Sequence, residues 1–197
     1  LILVDGSASM LADNLVNVNR RMLLNEKQKQ QSPKWQWTLR TVEWLLAQLP
    51  PSSRYQVYIF NAQATAVISE SEGVWLDSAD SLSMDISMAR LSDYVPNSGT
   101  SLINAFNVIA EFDQQTDNIY ILTDGLPTMG EAIPKKFMVT GRDRIRHFNV
   151  ARKKLPPGVS INTILFPMEG DYNAAALYWQ LAVDTEGAFI APSRDWP

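Results

Sequence analysis

The 197-residue sequence contains no cysteine and only one histidine, His147. The lack of cysteine excludes disulfides, thiolate zinc sites and a cysteine nucleophile. A Ser-His-Asp hydrolase would need a serine elbow, but residues 6–9 (GSAS) lack the final glycine of the Gly-x-Ser-x-Gly motif. A Walker A segment and a G-x-G-x-x-G segment are also absent, so the sequence gives no support for nucleotide binding.

Long apolar runs are missing as well, since no segment approaches the roughly 18 apolar residues of a membrane helix. The net charge of −4 argues against a nucleic-acid-binding protein. This charge is uneven, because eight of the 17 basic residues lie between Lys135 and Lys154. The basic run could contact an acidic partner or anionic lipid headgroups, or it could be an ordinary solvated helix face.

Hydrophobic patterns predict strands that alternate with helices. Residues 1–4 form an apolar run of the kind that is buried on both faces in parallel sheets. The other predicted strands are residues 55–60, 118–122, 160–166 and 188–191, with a hairpin or an edge strand within residues 64–76. The predicted helices are residues 37–49, a helix capped by Ser83 that ends before Pro96, a helix opened by Thr100 and Ser101, and residues 141–155 and 173–183.

Strands separated by helices of this length form a parallel sheet that is covered on both faces. We therefore predict a single α/β domain over residues 1–197, with a doubly wound, mostly parallel, Rossmann-like sheet. Because the chain begins inside an apparent core strand, we expect the domain to come from a longer protein. Any contact with a membrane would then be made through flanking segments outside residues 1–197.

Three loops rich in oxygen ligands lie at the ends of the predicted strands or before a predicted helix. Asp5, Ser7 and Ser9 alternate directly after the first strand, Thr100 precedes a helix, and Asp124 follows the strand at 118–122. Ligands of doubly wound sheets bind outside the carboxyl ends of the central strands. Because carboxylate and hydroxyl oxygens suit Mg²⁺, the three loops predict a metal site at this edge of the sheet.

Taken in order, these loops resemble the metal-ion-dependent adhesion site (MIDAS) of von Willebrand factor type A domains. Asp5, Ser7 and Ser9 match the Asp-x-Ser-x-Ser segment of that family, Thr100 in NSGTSL matches its threonine, and Asp124 in LTDGLPT matches its second aspartate. The resemblance spans nearly the whole chain. It implies bound Mg²⁺, with Mn²⁺ or Ca²⁺ as alternatives, and a partner protein that offers a Glu or Asp carboxylate to the metal. It also implies movement of the last helix, residues 173–183, when that ligand binds.

The residue types give this implied site a chemical logic. If the hydroxyls of Ser7, Ser9 and Thr100 bind the metal directly, most of its charge remains uncompensated. Asp5 and Asp124 would then accept hydrogen bonds from the coordinating waters and hydroxyls. Such a metal attracts one further anionic ligand, so we expect an interaction domain and no enzyme activity.

Two other functions fit the same fold. One is a metal-dependent hydrolase or phosphotransferase, and the other is a scaffold whose metal site is unused. The cysteine-free chain is compatible with the cytoplasm and with a bacterial envelope, and of these we favour the extracytoplasmic side of a bacterial envelope.

The segment of residues 11–36 departs from the family pattern. It is rich in Asn and Gln, its apolar periodicity is poor, and the pair Ser32-Pro33 reads as a break before the helix that starts at Trp37. We predict a polar extension or insert beside the metal face. Trp35 and Trp37 could be exposed contact residues, whereas Trp44 follows the helical pattern and should lie in the core or at its margin.

Overall fold

Strands and helices alternate along most of the chain in the computed structural model, which describes residues 1–112, 116–132 and 139–197. Within these ranges the strands are β1 (Ile2–Asp5), β2 (Arg54–Tyr55), β3 (Val57–Phe60), β4 (Ala64–Ala66), β5 (Leu76–Asp77), β6 (Asn118–Thr123), β7 (Ser160–Leu165) and β8 (Phe189–Ile190). The helices of the same ranges are α1 (Leu15–Met22), α2 (Glu26–Gln30), α3 (Pro33–Ala47), α4 (Ser81–Asp93), α5 (Leu102–Asn107), α6 (Gly141–Arg152) and α7 (Ala174–Asp184). Short 3₁₀ helices occupy Ala8–Leu11, Ser69–Ser71 and Val108–Glu111.

The described residues form a six-stranded sheet in the order β4-β3-β1-β6-β7-β8, and β2 pairs with β5 in a separate ribbon. Strands β3, β1, β6, β7 and β8 are parallel, and β4 is an antiparallel edge strand beside β3. The chain moves from β1 to β3 on one side and later returns to β6 on the other side. The carboxyl end of β1 is therefore a topological switch point, where such sheets bind ligands. The predicted doubly wound, mostly parallel sheet is confirmed.

The core has two halves, one on each face of the sheet. Side chains alternate along a strand, so Ile2 and Val4 of β1 face one half while Leu3 faces the other. Helices α3 and α4 cover the half that contains Trp35, and α5, α6 and α7 cover the half that contains Phe148. Burial of β1 on both faces explains why its sequence is a continuous apolar run.

Helix α3 begins at Pro33, four residues before the predicted start. Proline has no N–H to donate and its backbone suits the first turn of a helix, so the Ser32-Pro33 pair marks the start of α3. The interpretation of Trp35 and Trp37 as exposed contacts is wrong, because their exposed fractions are 0% and 6%. Trp44 lies at the margin of the core, with 37% of its surface exposed and its ring edge-on to Trp196.

Helix α4 also begins earlier than predicted, since its N-cap is Asp80 and not Ser83. The Asp80 carboxylate accepts hydrogen bonds from the backbone N–H groups of Leu82 and Ser83, at 3.1 and 3.4 Å. The predicted strand at 55–60 is divided into β2 and β3 at Gln56, whose buried side chain accepts a hydrogen bond from the N–H of Val57. Of the two structures predicted for residues 64–76, a hairpin or an edge strand, the edge strand is observed. It is β4, which lies beside β3 at the edge of the sheet.

The basic run predicted between Lys135 and Lys154 is only partly visible, because Lys135 and Lys136 lie outside the described residues. The rest of the run lies mainly on α6, where Arg144 is partly buried and forms an ion pair with Asp171 at 2.6 Å. That arginine is therefore a structural residue, while other basic side chains of α6 face solvent. Among the described residues, the helices are too short or too polar to cross a membrane.

Candidate metal centre

The first loop of the centre starts at Asp5, the last residue of β1. Its buried carboxylate accepts a hydrogen bond from the backbone N–H of Ser7 at 2.9 Å, which fixes the turn that follows the strand. Gly6 allows close packing in this turn. A Cβ at that position would lie 2.7 Å from the ring of Tyr94 and 2.8 Å from the side chain of Ile59. The sequence Asp-Gly-Ser thus places the carboxylate and the first hydroxyl together.

Hydrogen bonds join the five residues that the sequence predicts as the site. The Ser7 and Ser9 hydroxyls are 2.9 Å apart, and the Ser9 hydroxyl donates to Asp124 Oδ1 at 2.9 Å. The Thr100 hydroxyl lies 3.5 Å from Asp5 Oδ2, at the limit of a hydrogen bond. Residues as far as 115 positions apart therefore meet at the carboxyl ends of β1 and β6.

The second loop holds Thr100 just before α5. Its backbone N–H donates to the hydroxyl of Thr128 at 2.9 Å, and its side chain is buried. The next residue, Ser101, is the N-cap of α5: its hydroxyl accepts from the N–H of Asn104 and donates to the carbonyl of Gly130. The Ser101 hydroxyl therefore caps the helix, while the Thr100 hydroxyl points toward Asp5.

The third loop follows β6 and contains Asp124 and Gly125. A Cβ on Gly125 would lie 2.5 Å from Asp171 Oδ2, so any other residue here would displace the Asp171 carboxylate. The same Asp171 oxygen accepts hydrogen bonds from the N–H of Leu126 and from the Arg144 guanidinium, both at 2.6 Å. The turn that presents Asp124 is therefore braced from α6 and from the segment before α7.

Thr123 is a member of this cluster that the sequence reading missed. Its hydroxyl donates to Asp5 Oδ2 at 2.6 Å, from the last position of β6. The sequence holds one indication of this role, because Thr123 directly precedes Asp124 in the TDG turn. A threonine at a strand end is also common for packing reasons, and only the register of β6 against β1 aims this one at Asp5.

Lys34 is a second residue that the sequence reading missed. Its ammonium Nζ lies 2.6 Å from Asp124 Oδ2, and it also donates to the backbone carbonyls of Ser9 and Ala12 at 3.3 and 3.1 Å. The residue is only 3% exposed, and Asp124 is 4% exposed. In the sequence Lys34 appears as one more basic residue of the polar segment, with nothing to distinguish it from its neighbours.

The electrostatics of the centre favour an added positive charge. Burial and the nearby charge of Asp124 raise the pKa of Asp5 to about 6, although hydrogen bonds from Thr123 and Ser7 favour its ionised form. With both carboxylates ionised and Lys34 protonated, the cluster carries a net charge of −1 in a buried environment. A carboxylate at such a place is stabilised by a nearby cation.

The donor set fits a hard divalent cation. Three hydroxyls and two carboxylates converge, and Mg²⁺, Mn²⁺ and Ca²⁺ prefer such oxygen ligands. Among the described residues, no group of three or more His, Cys, Asp and Glu side chains is placed to hold a metal. A site here would therefore depend on the hydroxyls of Ser7, Ser9 and Thr100, of which Ser9 is the least buried.

Comparison with known proteins identifies the fold. No family model matches the chain, and no curated protein sequence matches it either. Solved structures do match, at low sequence identity. A von Willebrand factor type A protein from Catenulispora acidiphila superposes with a TM-score of 0.63 at 15% identity, over 97% of this chain and 38% of that one.

Two further structures carry the same fold. The von Willebrand factor domain of the type V pili tip protein Mfa5 from Porphyromonas gingivalis gives a TM-score of 0.53 at 12% identity, over 96% of this chain and 88% of that one. Proximal thread matrix protein 1 from the mussel byssus, solved with zinc in its MIDAS motif, gives 0.52 at 15% identity, over 98% of this chain and 41% of that one. The chain thus spans less than half of the Catenulispora and mussel proteins. These matches confirm the resemblance to von Willebrand factor type A domains at the level of the fold.

Proposed function

We propose, from the von Willebrand factor type A fold that this chain shares with those structures, that the domain binds a divalent cation through Asp5, Ser7, Ser9, Thr100 and Asp124. Through that cation it binds a Glu or Asp carboxylate of a partner protein. The observation that carries the proposal is the hydrogen-bonded cluster that unites these five residues from three separate loops.

Each group of the chain has a distinct task in this proposal. The hydroxyls of Ser7, Ser9 and Thr100 are the direct ligands, and Asp5 and Asp124 orient the hydroxyls and the coordinating waters. The bound cation supplies a concentrated positive charge that attracts a carboxylate. Because neutral hydroxyls compensate little of that charge, the ligand set preserves the attraction.

We propose Mg²⁺ as the usual cation, with Mn²⁺ or Ca²⁺ as substitutes. The mussel protein is described with zinc in its motif. The present donor set contains no thiolate or imidazole, which are the ligands that zinc prefers. Hard oxygen donors favour the alkaline-earth ions and Mn²⁺.

The surroundings of the centre support an acidic partner. A cavity of about 790 Å³ next to Ala12 is lined by five basic and two acidic residues: Arg20, Arg21, Lys34, Arg40, Arg194, Asp13 and Glu169. A positive surround of this kind steers acidic ligands toward a nearby site. Two of the four arginines, Arg20 and Arg21, belong with Lys34 to the polar segment at residues 11–36, so we propose that this segment shapes the partner-binding face.

We also propose that binding of the carboxylate is coupled to α7. The hydroxyl of Tyr178 in α7 donates to the carbonyl of Gly125 at 3.1 Å, directly after Asp124 in the third loop. A shift of this loop on metal or ligand binding would therefore act on the helix. Structures with and without a bound carboxylate test the coupling, and an unchanged α7 in the two would contradict it.

We infer that the domain is not an enzyme. Asp124 is held by Lys34 and Ser9, and Asp5 accepts hydrogen bonds from Ser7 and Thr123. Neither carboxylate is thus free to act as a general base. Turnover of a generic phosphoester with Mg²⁺, abolished in Asp5→Asn, would instead support a hydrolase or phosphotransferase.

We propose a cell-surface location on the extracytoplasmic side of a bacterial envelope. One structure with this fold belongs to a pili tip protein, and the lack of cysteine is compatible with that setting. Fractionation of the native cells, with detection of the chain by antibody, tests the proposal. Recovery in the cytoplasmic fraction alone would contradict it.

Titration calorimetry with MgCl₂ and MnCl₂ is the test of the metal centre. We expect the wild-type chain to bind one ion, and the double variant Ser7→Ala/Ser9→Ala to bind none. The matched control is Ser52→Ala/Ser69→Ala, which removes two exposed hydroxyls far from the centre along the chain and should leave binding unchanged. Absence of binding by the wild-type chain would contradict the proposal and favour a scaffold with an unused site. A pull-down with and without EDTA then searches for the partner.

A further inference from the structure

The buried ammonium of Lys34 gives this metal centre a cation of its own. We propose that Lys34 is a built-in counter-cation, which stabilises the centre when no metal is bound and biases the loaded centre toward carboxylates at the expense of metal affinity. The first part of this inference stands on the structure of the chain alone. The second part rests on the proposed function of the site.

Lys34 lies in α3, and the packing of this helix holds the residue beside the centre. It occupies the first turn of α3, between Pro33 at the helix start and the fully buried ring of Trp35. Its carbonyl accepts a hydrogen bond from the Thr38 hydroxyl at 3.0 Å. The ammonium therefore does not reach Asp124 as a mobile surface side chain, because its helix turn is packed in the core.

The contacts of the ammonium join two of the metal loops. One N–H is directed at Asp124 Oδ2 of the third loop, and the other two meet the carbonyls of Ser9 and Ala12 in the first loop. Lys34 thus links the two loops in the same region as the Ser9–Asp124 hydrogen bond. Without a metal, this ammonium is the cation that offsets the buried charge of Asp124.

The charge count changes when a divalent ion enters. Two ionised carboxylates, one ammonium and one divalent ion give a net charge of +1, which a single partner carboxylate neutralises. If a neutral side chain replaced Lys34, the loaded centre would be neutral and the partner carboxylate would make it negative. Because buried net charge is costly, Lys34 should weaken metal binding and strengthen carboxylate binding.

Thermal unfolding in EDTA tests the first part. We expect Lys34→Met to lower the melting temperature by roughly 6–20 °C, because it leaves a buried carboxylate without its cation. The double variant Lys34→Met/Asp124→Asn should recover most of that loss, since it also removes the stranded charge. The control Lys27→Met, which removes an exposed ammonium from α2, should melt like the wild-type chain.

A melting temperature of Lys34→Met equal to that of the wild-type chain would overturn the first part. So would a double variant that melts as low as Lys34→Met, because the lysine would then act by packing and not by charge. If Lys34→Met does not fold in EDTA, the double variant alone decides: folding supports the counter-cation, and failure to fold contradicts it.

Titration of MnCl₂ and then of acetate tests the second part. We expect Lys34→Met to bind Mn²⁺ at least about tenfold more tightly than the wild-type chain, since a nearby unit charge is removed. Acetate should displace Mn²⁺-bound water roughly fivefold less readily in the variant than in the wild-type chain. Water-proton relaxation measures this displacement. Lys27→Met should match the wild-type chain in both titrations.

The outcomes separate this inference from the proposed function. If neither the wild-type chain nor Lys34→Met binds Mn²⁺, the proposed function and the second part both fail, while the EDTA melts still decide the first part. If both bind Mn²⁺ with equal affinity, or if the variant binds acetate as well as the wild-type chain, the proposed function stands and the second part is wrong.

Discussion

Replacement of Asp5 by asparagine should stabilise the metal-free protein while it abolishes metal binding. The geometry accommodates the amide: its oxygen can accept from the N–H of Ser7 as the carboxylate does. Its NH₂ group can donate to the Thr123 hydroxyl, which can in turn donate to the nearby carbonyl of Gly125 at 3.4 Å. The variant therefore removes a charge without leaving a buried polar group unsatisfied.

The magnitude follows from the pKa of Asp5. Burial raises it from its ordinary value of 3.8 to about 6, and at 1.36 kcal/mol for each pKa unit this rise costs about 3 kcal/mol when the group is ionised. A folded-state pKa above the unfolded value means that the cost is absent below pH 3.8, grows as the pH rises, and is complete above pH 6. The gain from Asp5→Asn should follow the same course.

Urea unfolding in EDTA at several pH values measures this gain. At pH 7.5 we expect the free energy of unfolding of Asp5→Asn to exceed that of the wild-type chain by about 1–3 kcal/mol. At pH 4 the two should be nearly equal, because Asp5 of the wild-type chain is then largely protonated. A variant that is less stable than the wild-type chain at pH 7.5, or a difference that does not change with pH, would show that the buried charge of Asp5 does not destabilise the metal-free protein.

Three further predictions concern the supporting fold, each read by urea unfolding. Gly187→Ala should lower the free energy of unfolding by about 3 kcal/mol or more, since its Cβ would lie 2.0 Å from the carbonyl oxygen of Ile161. The control Gly141→Ala should have no such effect, because a Cβ at that position would have no atom within 4 Å. Gln56→Ala should cost roughly 2–4 kcal/mol, because its buried amide makes four hydrogen bonds. Trp35→Ala should cost about 3–5 kcal/mol through a large cavity under α3. A loss below 1 kcal/mol in Gly187→Ala, Gln56→Ala or Trp35→Ala would contradict the explanation given for that variant.

The alternation of elements could be predicted because its signals are local. A run such as residues 1–4 or 119–122 is largely apolar since both faces of the strand are covered, and that pattern can be recognised from the sequence alone. The starts of the helices are harder to predict from the sequence. The sequence pattern indicates a break at Ser32-Pro33 and an N-cap at Ser83, whereas Pro33 begins α3 and Asp80 caps α4, because Ser, Asp and Pro occur both in turns and at helix starts.

The site was predictable in part, for a related reason. Asp5, Ser7 and Ser9 lie within one loop, and Thr100 and Asp124 lie at ends of elements that parallel topology brings to one edge. The burial of Trp35 and Trp37 was not predictable from residues 11–36, because it depends on α3 starting early enough to place both rings against the sheet.

Local patterns and the general rules of parallel sheets predict the alternation of the main strands and helices and the five oxygen-bearing residues at the switch point, whereas α1 and α2 leave no clear pattern in residues 11–36. The partners of those residues, in contrast, depend on how the chain folds. Thr123 reaches Asp5 through strand register, and Lys34 reaches Asp124 through the packing of α3, 90 positions away in the chain. Such contacts leave no periodic trace in the sequence, because a single buried lysine has the same local surroundings as an exposed one until the chain has folded.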